Sequence, residues 1–250
     1  MVGSLALMRI SGLAGALLAA ACLPAMADTI LNLKGNDNAL DSSGNNNNGV
    51  WSGTPAYAAG GGFDLSGSNY ISVASAAGLD LPGNSVITVS ATIDPTTAGL
   101  ARERIVDRID AGGSNGFLLD IQADQLRVIA GNTILIGTNP VAANVLTDVT
   151  FVYDGTLATP TLSLYENGVL DATTAAGIWD NDTGSDLRIG VDSNGFNAFQ
   201  GVIGDVAISA VPEPATISVL GLSLAGLLPV ARRRKICASS SAATGSRMAV

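Results

Sequence analysis

Short runs of apolar and β-branched residues, separated by clusters of Gly, Asn, Asp and Ser, follow one another through most of this 250-residue chain. In the run VITVSATI the side chains of Val89, Ala91 and Ile93 fall on one face of an extended strand, opposite the Thr and Ser side chains. No segment within Asp28–Ala210 keeps a helical period over about ten residues. The pattern predicts an all-β domain, a two-sheet antiparallel sandwich of the jelly-roll type.

The runs define the predicted strands, and the sequence also specifies one connection between them. Asn167 and Gly168 lie between apolar runs and predict a tight type I′ turn, because both turn positions need a positive φ. The predicted strands are Thr29–Leu33, Gly62–Leu65, Asn69–Val73, Val86–Ile93, Arg104–Arg108, Gly116–Ile121, Gln125–Ala130, Thr133–Gly137, Thr147–Tyr153, Thr161–Glu166, Val169–Ala172, Asp186–Val191 and Phe199–Ile208.

The chain begins with a segment typical of a secretory signal peptide, residues 1–27. It has Arg9 near its start, an apolar stretch that ends at Leu23, and an Ala-x-Ala cleavage site before Asp28. Processing as a lipoprotein at Cys22 is an alternative, although the residues before this cysteine lack the expected Leu.

The segment 211–235 combines a Pro-Glu-Pro turn, an uncharged apolar run and a basic cluster. The run Ala215–Val230 is about sixteen residues long, short for a transmembrane helix but sufficient for a thin bilayer. Arg232–Lys235 would stay in the cytoplasm, which places the preceding domain on the other side of the membrane. A buried core helix with a solvated basic end is the alternative. Residues 236–250 are predicted to be a disordered cytoplasmic tail.

Between these ends, residues 28–210 form one predicted domain with six basic and twenty acidic residues, a net charge of −14. This charge disfavours nucleic acid as a partner. Cys22 and Cys237 both lie outside the domain, so we expect the fold to hold without a disulfide. The chain has no histidine, which removes Ser-His-Asp triads and most zinc catalysis.

The C-terminal segment resembles the PEP-CTERM sorting signal of Gram-negative bacteria. The resemblance depends on the order of three elements: the motif Pro212, Glu213 and Pro214, the apolar run, and the Arg cluster. It implies recognition by an exosortase, a membrane-embedded cysteine transpeptidase, and export linked to extracellular polysaccharide.

The domain resembles laminin-G-like domains of the concanavalin A-like lectin and glucanase type. The resemblance implies a jelly roll whose first and last strands are adjacent, often with a structural calcium ion, and a general role in binding glycans or proteins. The segments that carry it are Leu33–Asn36, Ala39–Gly49, Gly62–Val73, Leu164–Leu170, Leu187–Val191 and Phe199–Ser209.

The segment DSSGNNNNG, Asp41–Gly49, is a candidate calcium loop, because calcium prefers carboxylate, amide and carbonyl oxygens. It lacks the spacing of an EF-hand. The resemblance to laminin-G-like domains adds a carboxylate from the last strand, and Asp205 matches that position. The predicted calcium ligands are Asp41, Asn46 and Asp205. A polar surface loop and a solvated strand acid are the alternative.

A second polar segment begins at Trp179 and is a candidate sugar site. Its indole would stack on a pyranose ring while Asp180 and Asp182 accept hydroxyl hydrogens. Asn194 and Phe196 repeat the same mixture of aromatic and polar groups. The alternative is that both segments are plain turns and that Trp179 closes one end of the core.

The basic residues around position 105 predict a surface feature. Alternation places Arg104 and Arg108 on one face, away from Asp107, and we expect a solvated ion-pair ladder there.

Catalytic chemistry has little support in this sequence. Glycosidases of this fold carry a Glu-x-Asp-x-Glu type of motif on one strand, and the domain's Glu103 and Glu166 belong to none. Asp120 and Asp124 are predicted to flank a turn. The sequence therefore predicts a non-enzymatic, exported, surface-anchored module that binds glycan or extracellular polysaccharide. The alternatives are a structural or adhesive matrix protein that binds another protein, and a divergent glycanase.

Overall fold

The computed structural model describes residues 26–97, 102–110, 115–179 and 184–212. They lie in one unit, Leu23–Pro214, and form strands with one short 3-10 helix, Ala77–Leu79, among the described residues. The strands are β1 (Asp28–Leu33), β2 (Gly49–Ser52), β3 (Phe63–Ser66), β4 (Tyr70–Val73), β5 (Ser85–Pro95), β6 (Glu103–Ile109), β7 (Gly116–Gln122), β8 (Gln125–Ala130), β9 (Thr133–Pro140), β10 (Thr147–Asp154), β11 (Thr161–Glu166), β12 (Val169–Ala175), β13 (Leu187–Ile189) and β14 (Gln200–Pro212).

These strands form two antiparallel sheets. Sheet A has the order β1-β14-β5-β10-β11-β12, with β3 also paired to β14, and sheet B has the order β2-β4-β13-β6-β7-β8-β9. Asp28 of β1 lies opposite Ala210 of β14, so the first and last strands of the domain are adjacent. The prediction of an all-β, two-sheet jelly-roll sandwich is confirmed.

The core lies between the sheets and is built from alternate residues of the strands. In β5 every second side chain is buried, as the strict alternation predicted. Aromatic rings from both sheets meet in this core: the Phe117 ring of β7 lies 5.7 Å from the Phe151 ring of β10 and 5.6 Å from that of Trp179. Rings of this size bury a large apolar area and hold the two sheets together.

The turn between β11 and β12 has the predicted geometry. Asn167 and Gly168 have φ angles of 51° and 75°, and the flanking Glu166 and Val169 are paired. Asn and Gly are the residues that adopt two consecutive positive φ angles at the lowest cost, which explains why the sequence specifies this turn.

Each predicted strand has a counterpart in the structure, but β2 was not predicted. It has only four residues, Gly-Val-Trp-Ser, and follows the Asn-rich segment directly. Its position in sheet B is set by pairing with β4, where Trp51 lies opposite Ile71. Gly49 and Ser52 leave only Val50 and Trp51 as strand-favouring residues, so the sequence carries no recognisable strand pattern there.

Candidate ligand-binding groove

A groove crosses the outer face of sheet B where β6, β7 and β8 lie side by side. The register of these strands places Arg104 opposite Asp120, and Asp120 opposite Arg127. A bulge in β6 between Arg104 and Val106 brings Asp107 to the same outer face. Without the bulge, residues three positions apart would point to opposite faces. Four charged side chains therefore share one surface.

These four side chains form a buried ionic network centred on Asp120. Arg127 donates from Nε to Asp120 Oδ1 at 2.9 Å and from Nη2 to Asp120 Oδ2 at 2.5 Å. Arg104 Nη1 donates to the same Oδ2 at 2.6 Å. Asp120 is 0% exposed. Its desolvation is offset because both oxygens accept charge-assisted hydrogen bonds from arginine.

The prediction of a solvated ladder with Arg104 and Arg108 on one face is wrong. The β6 bulge separates them: Arg104 joins the buried network, and Arg108 lies on the core side, opposite Phe117. There the Arg108 guanidinium donates to the Leu79 carbonyl at 2.7 Å and pairs with Asp80 at 2.6 Å. Both arginines are buried.

Asp107 is held less tightly than Asp120. Its Oδ2 lies 2.9 Å from Arg104 Nε, but the geometry is not that of a hydrogen bond, and neither atom has a hydrogen-bond partner among the described residues. Burial raises the pKa of Asp107 to about 6, and the attraction of Arg104 lowers it only in part. The charges of Asp192 and Asp120 act in the same direction as burial.

One wall of the groove is the loop between β13 and β14, and Asp192 fixes its shape. The Asp192 Oδ1 accepts hydrogen bonds from the backbone N–H groups of Asn194 and Phe196 at 2.9 and 2.8 Å, and Oδ2 accepts one from Asn197 Nδ2 at 2.6 Å. The backbone N–H of Arg104 donates to the Asn197 carbonyl at 2.8 Å, which ties the loop to β6. A loop held in this way needs little further ordering when a ligand binds.

The groove has a volume of about 360 Å³. Its lining combines three arginines (Arg102, Arg104 and Arg127) with carboxylates and asparagine amides, above an apolar floor of Leu118 and Ile129. The wall loop also carries Phe196, whose side chain is 69% exposed. Planar polar groups near an exposed aromatic ring form a surface that suits a ligand with both hydroxyl groups and apolar faces.

A family model described as the concanavalin A-like lectin/glucanases superfamily matches residues 65–218, more than half of the chain. The chain belongs to this superfamily. A second model, the PEP-CTERM protein-sorting motif, matches residues 210–235 and indicates export and sorting to the cell envelope. No curated protein sequence matches the chain.

Several solved structures share the fold of the domain. Domain 4 of AbnA, a GH43 extracellular arabinanase from Geobacillus stearothermophilus solved in complex with arabinotriose, is 18% identical with a TM-score of 0.55, and the match covers 74% of this chain and 94% of that one. The binding domain of Paraclostridial Mosquitocidal Protein 1 is 15% identical with a TM-score of 0.55, covering 72% and 48%. The receptor-binding domain of botulinum neurotoxin type G is 14% identical with a TM-score of 0.51, covering 72% and 47%. The chain spans about half of each toxin structure, and likeness at these identities shows the fold alone.

In this member of the superfamily, one predicted sugar-contact residue lines the groove, a second lies on its wall loop, and a third is buried in the core. Asn194 lines the groove and Phe196 is exposed on its wall loop. Trp179 is only 4% exposed; its ring lies 5.1 Å from that of Tyr153, and its backbone N–H donates to the Tyr153 hydroxyl. The prediction that a sugar stacks on Trp179 is therefore wrong, and this residue closes one end of the core. Asp180 and Asp182 lie outside the described residues.

The predicted calcium loop is instead bonded to β1. The carboxylate of Asp41 accepts hydrogen bonds from Asn32 N, Ser43 N and Oγ, and Asn47 N, at 2.7–3.0 Å. Burial tends to raise the pKa of Asp41, but these hydrogen bonds outweigh it and leave the pKa below its ordinary value. The side chain of Asn47 donates to the Ile30 carbonyl at 2.8 Å. The loop thus covers the edge of sheet A, where free backbone groups would otherwise invite pairing with another chain.

The structure does not bring the three predicted calcium ligands together, and calcium binding stays a prediction. Asp41 sits on the edge of β1 that faces away from β14, whereas Asp205 lies exposed in a bulge of β14, between Gly204 and Ala207. Asn46 is exposed, with a φ of 59°. The described residues also contain no group of three or more His, Cys, Asp or Glu side chains placed to hold a metal.

Of the predicted sorting motif, Pro212 is the last residue of β14, and Glu213 and Pro214 lie outside the described residues. The predicted membrane segment also lies outside them. Within the described ranges no helix has the length and apolar character needed to cross a membrane.

Proposed function

We propose that the domain is a non-catalytic module that binds glycan at the cell envelope through the groove on sheet B. The observation that carries this proposal is the Asp192-fixed loop, which carries the exposed Phe196 and whose Asn194 and Asn197 line the groove together with arginine and carboxylate side chains.

A sugar matches this surface in two ways. The ring hydrogens of a sugar form an apolar face that packs on an aromatic side chain such as Phe196. Its hydroxyl groups both donate and accept, so they pair with guanidinium donors and with amide and carboxylate acceptors on the groove lining. Arg102 and Asn194, both exposed on the groove lining, provide donors and an acceptor for these hydroxyl groups.

The fold comparisons support a binding role of this kind. The AbnA domain was solved with arabinotriose and the toxin domains are described as binding or receptor-binding domains. These properties belong to those proteins, and they motivate arabinotriose as a probe for this one.

The groove carboxylates argue against glycoside hydrolysis. Asp120 is fully buried and both of its oxygens are bound to arginine, so it has no route to a glycosidic bond. Asp107, with its pKa raised to about 6, has the character of a proton donor. Asp192 accepts three hydrogen bonds within its own loop, and Asp110 accepts hydrogen bonds from Asn115 and Ser185. Hydrolysis by a pair of carboxylates needs a second group free to act as base or nucleophile.

We further propose that residues 215–230 hold the domain in the membrane until an exosortase processes the sorting segment. The PEP-CTERM match at residues 210–235 supports exosortase as the partner, and the predicted N-terminal signal peptide is consistent with export. The acidic domain would then lie outside the cytoplasm, among extracellular polysaccharides.

Affinity electrophoresis of the full-length protein in gels that contain arabinan, hydroxyethyl cellulose or polygalacturonate tests the binding role, together with calorimetry on arabinotriose. We expect retardation in at least one gel, and we expect Phe196→Ala to weaken that retardation about tenfold. Leu157→Ala is the matched control, because Leu157 is also exposed but lies between β10 and β11. Retardation by none of the polymers, or equal effects of the two variants, would refute the proposed site. Release of reducing ends would show a glycanase instead.

A further inference from the structure

The outer face of sheet B continues past the groove as two parallel rows of side chains. Strand register places Leu118, Ile129 and Ile134 side by side on β7, β8 and β9. The neighbouring row on the same strands is Asp120, Arg127 and Ile136. The first row is entirely apolar and is called the apolar track; the second begins with the ion pair of Asp120 and Arg127 and ends in the apolar Ile136.

The apolar track becomes more exposed toward the edge of the sheet. Leu118 is buried on the groove floor, Ile129 is half-buried, and Ile134 is 58% exposed on β9. The track spans β7 to β9, two strand spacings of about 4.8 Å, so it extends across roughly 10 Å of the sheet. A single sugar unit would leave much of this track uncovered.

The charges on this face favour an uncharged occupant. Arg104 and Arg127 are both bound to Asp120, and the lining adds Asp107, Asp110 and Asp192. Four carboxylates therefore accompany the three groove arginines, in a domain whose net charge is −14. The negative charge of the domain would repel a polyanion at long range, and few of the groove arginines are free of a carboxylate partner to bind it.

Building on the function proposed above, we infer that the occupant is the interior of a linear, uncharged glycan chain that lies across β6 to β9. The apolar faces of successive sugar units pack on Leu118, Ile129 and Ile134. Their hydroxyl groups lie along the side of the groove that carries Arg104 and Arg127, and form hydrogen bonds with exposed polar groups of the lining such as Arg102 and Asn194. The Asp192 loop with Phe196 bounds one end of the track.

Calorimetry of the full-length protein with arabino-oligosaccharides and cello-oligosaccharides, from disaccharide to hexasaccharide, tests this inference. We expect affinity to rise with chain length in the series that binds. We expect Ile134→Ser to reduce the affinity for the hexasaccharide about fivefold and to leave that for the disaccharide unchanged. Val169→Ser is the control, because Val169 is also an exposed β-branched residue but belongs to sheet A.

The outcomes separate this inference from the proposed function. Equal affinity for the disaccharide and the hexasaccharide, or no selective effect of Ile134→Ser, overturns the extended track and leaves glycan binding intact. Binding to polygalacturonate alone, with an affinity that falls as salt is added, overturns the uncharged ligand and also leaves glycan binding intact. Binding to no glycan at all overturns both proposals.

Discussion

Replacing Asp120 by Asn tests the buried ionic network most directly. The change keeps the shape of the side chain and removes its charge. Arg104 and Arg127, which are only 5% and 7% exposed, then lose the carboxylate that they share. Removing one partner of a buried ion pair costs about 3–5 kcal/mol, because the other charge remains buried without compensation. For a domain of this size the midpoint of thermal unfolding should fall by about 10 °C.

The assay is thermal unfolding of the full-length protein, followed by far-UV circular dichroism and by the fluorescence of the two tryptophans, Trp51 and Trp179. Asp64→Asn is the matched control, because Asp64 is an exposed acid in β3 and should change stability by less than about 0.5 kcal/mol. A quadruple variant, Arg104→Met, Asp107→Leu, Asp120→Leu and Arg127→Met, removes all four charges of the network and should unfold within about 1 kcal/mol of the wild type, or above it. An Asp120→Asn midpoint equal to that of Asp64→Asn would refute the reasoning. A quadruple variant as unstable as Asp120→Asn would show that lost packing, not an uncompensated buried charge, is responsible.

Two further predictions concern other buried or bonded acids. Burial raises the pKa of Glu103 from 4.5 to about 7, despite hydrogen bonds from Thr97 and Gln200. The folded state therefore binds the Glu103 proton more tightly than the unfolded chain does. The stabilisation that this proton provides is complete below pH 4.5 and is lost as the pH rises toward 7. Glu103→Gln should flatten the fall in free energy of unfolding over this range in urea titrations, and an unchanged slope would contradict the assignment. Asp41→Asn should lower that free energy by about 2 kcal/mol through the loss of charge-assisted hydrogen bonds, equally in calcium and in EDTA, whereas a loss seen only in calcium would restore the predicted metal role of Asp41.

Sequence reasoning succeeded where one local pattern decides the structure. The alternation of Val89, Ala91 and Ile93 fixed the buried face of β5, since a strand between a core and solvent has only that pattern available. The Asn167–Gly168 turn was equally local. Both predictions needed only the period of a strand and the φ preferences of two residues.

Sequence reasoning failed where the register of several strands decides the structure. A single bulge in β6 places Arg104 and Arg108 on opposite faces of the sheet, and the alternation of residue types gives no sign of a bulge. The burial of Asp120 follows from its pairing with residues on two neighbouring strands, far apart in sequence. The burial of Trp179 could not be predicted from the sequence either, because an aromatic residue beside a polar loop has the same sequence pattern whether its ring faces solvent or the core.

The adjacency of the two terminal strands has a mechanical consequence. Tension applied through the chain beyond Pro212 runs along the length of β14, a strand of 13 residues that has β1 on one side and β5 on the other. Such a load shears both ladders at once, and many hydrogen bonds must yield together before the strand slides. A peripheral strand such as β12 would instead peel away one bond at a time. A domain that is pulled from its C-terminal end is thus held by the strand best suited to resist extraction.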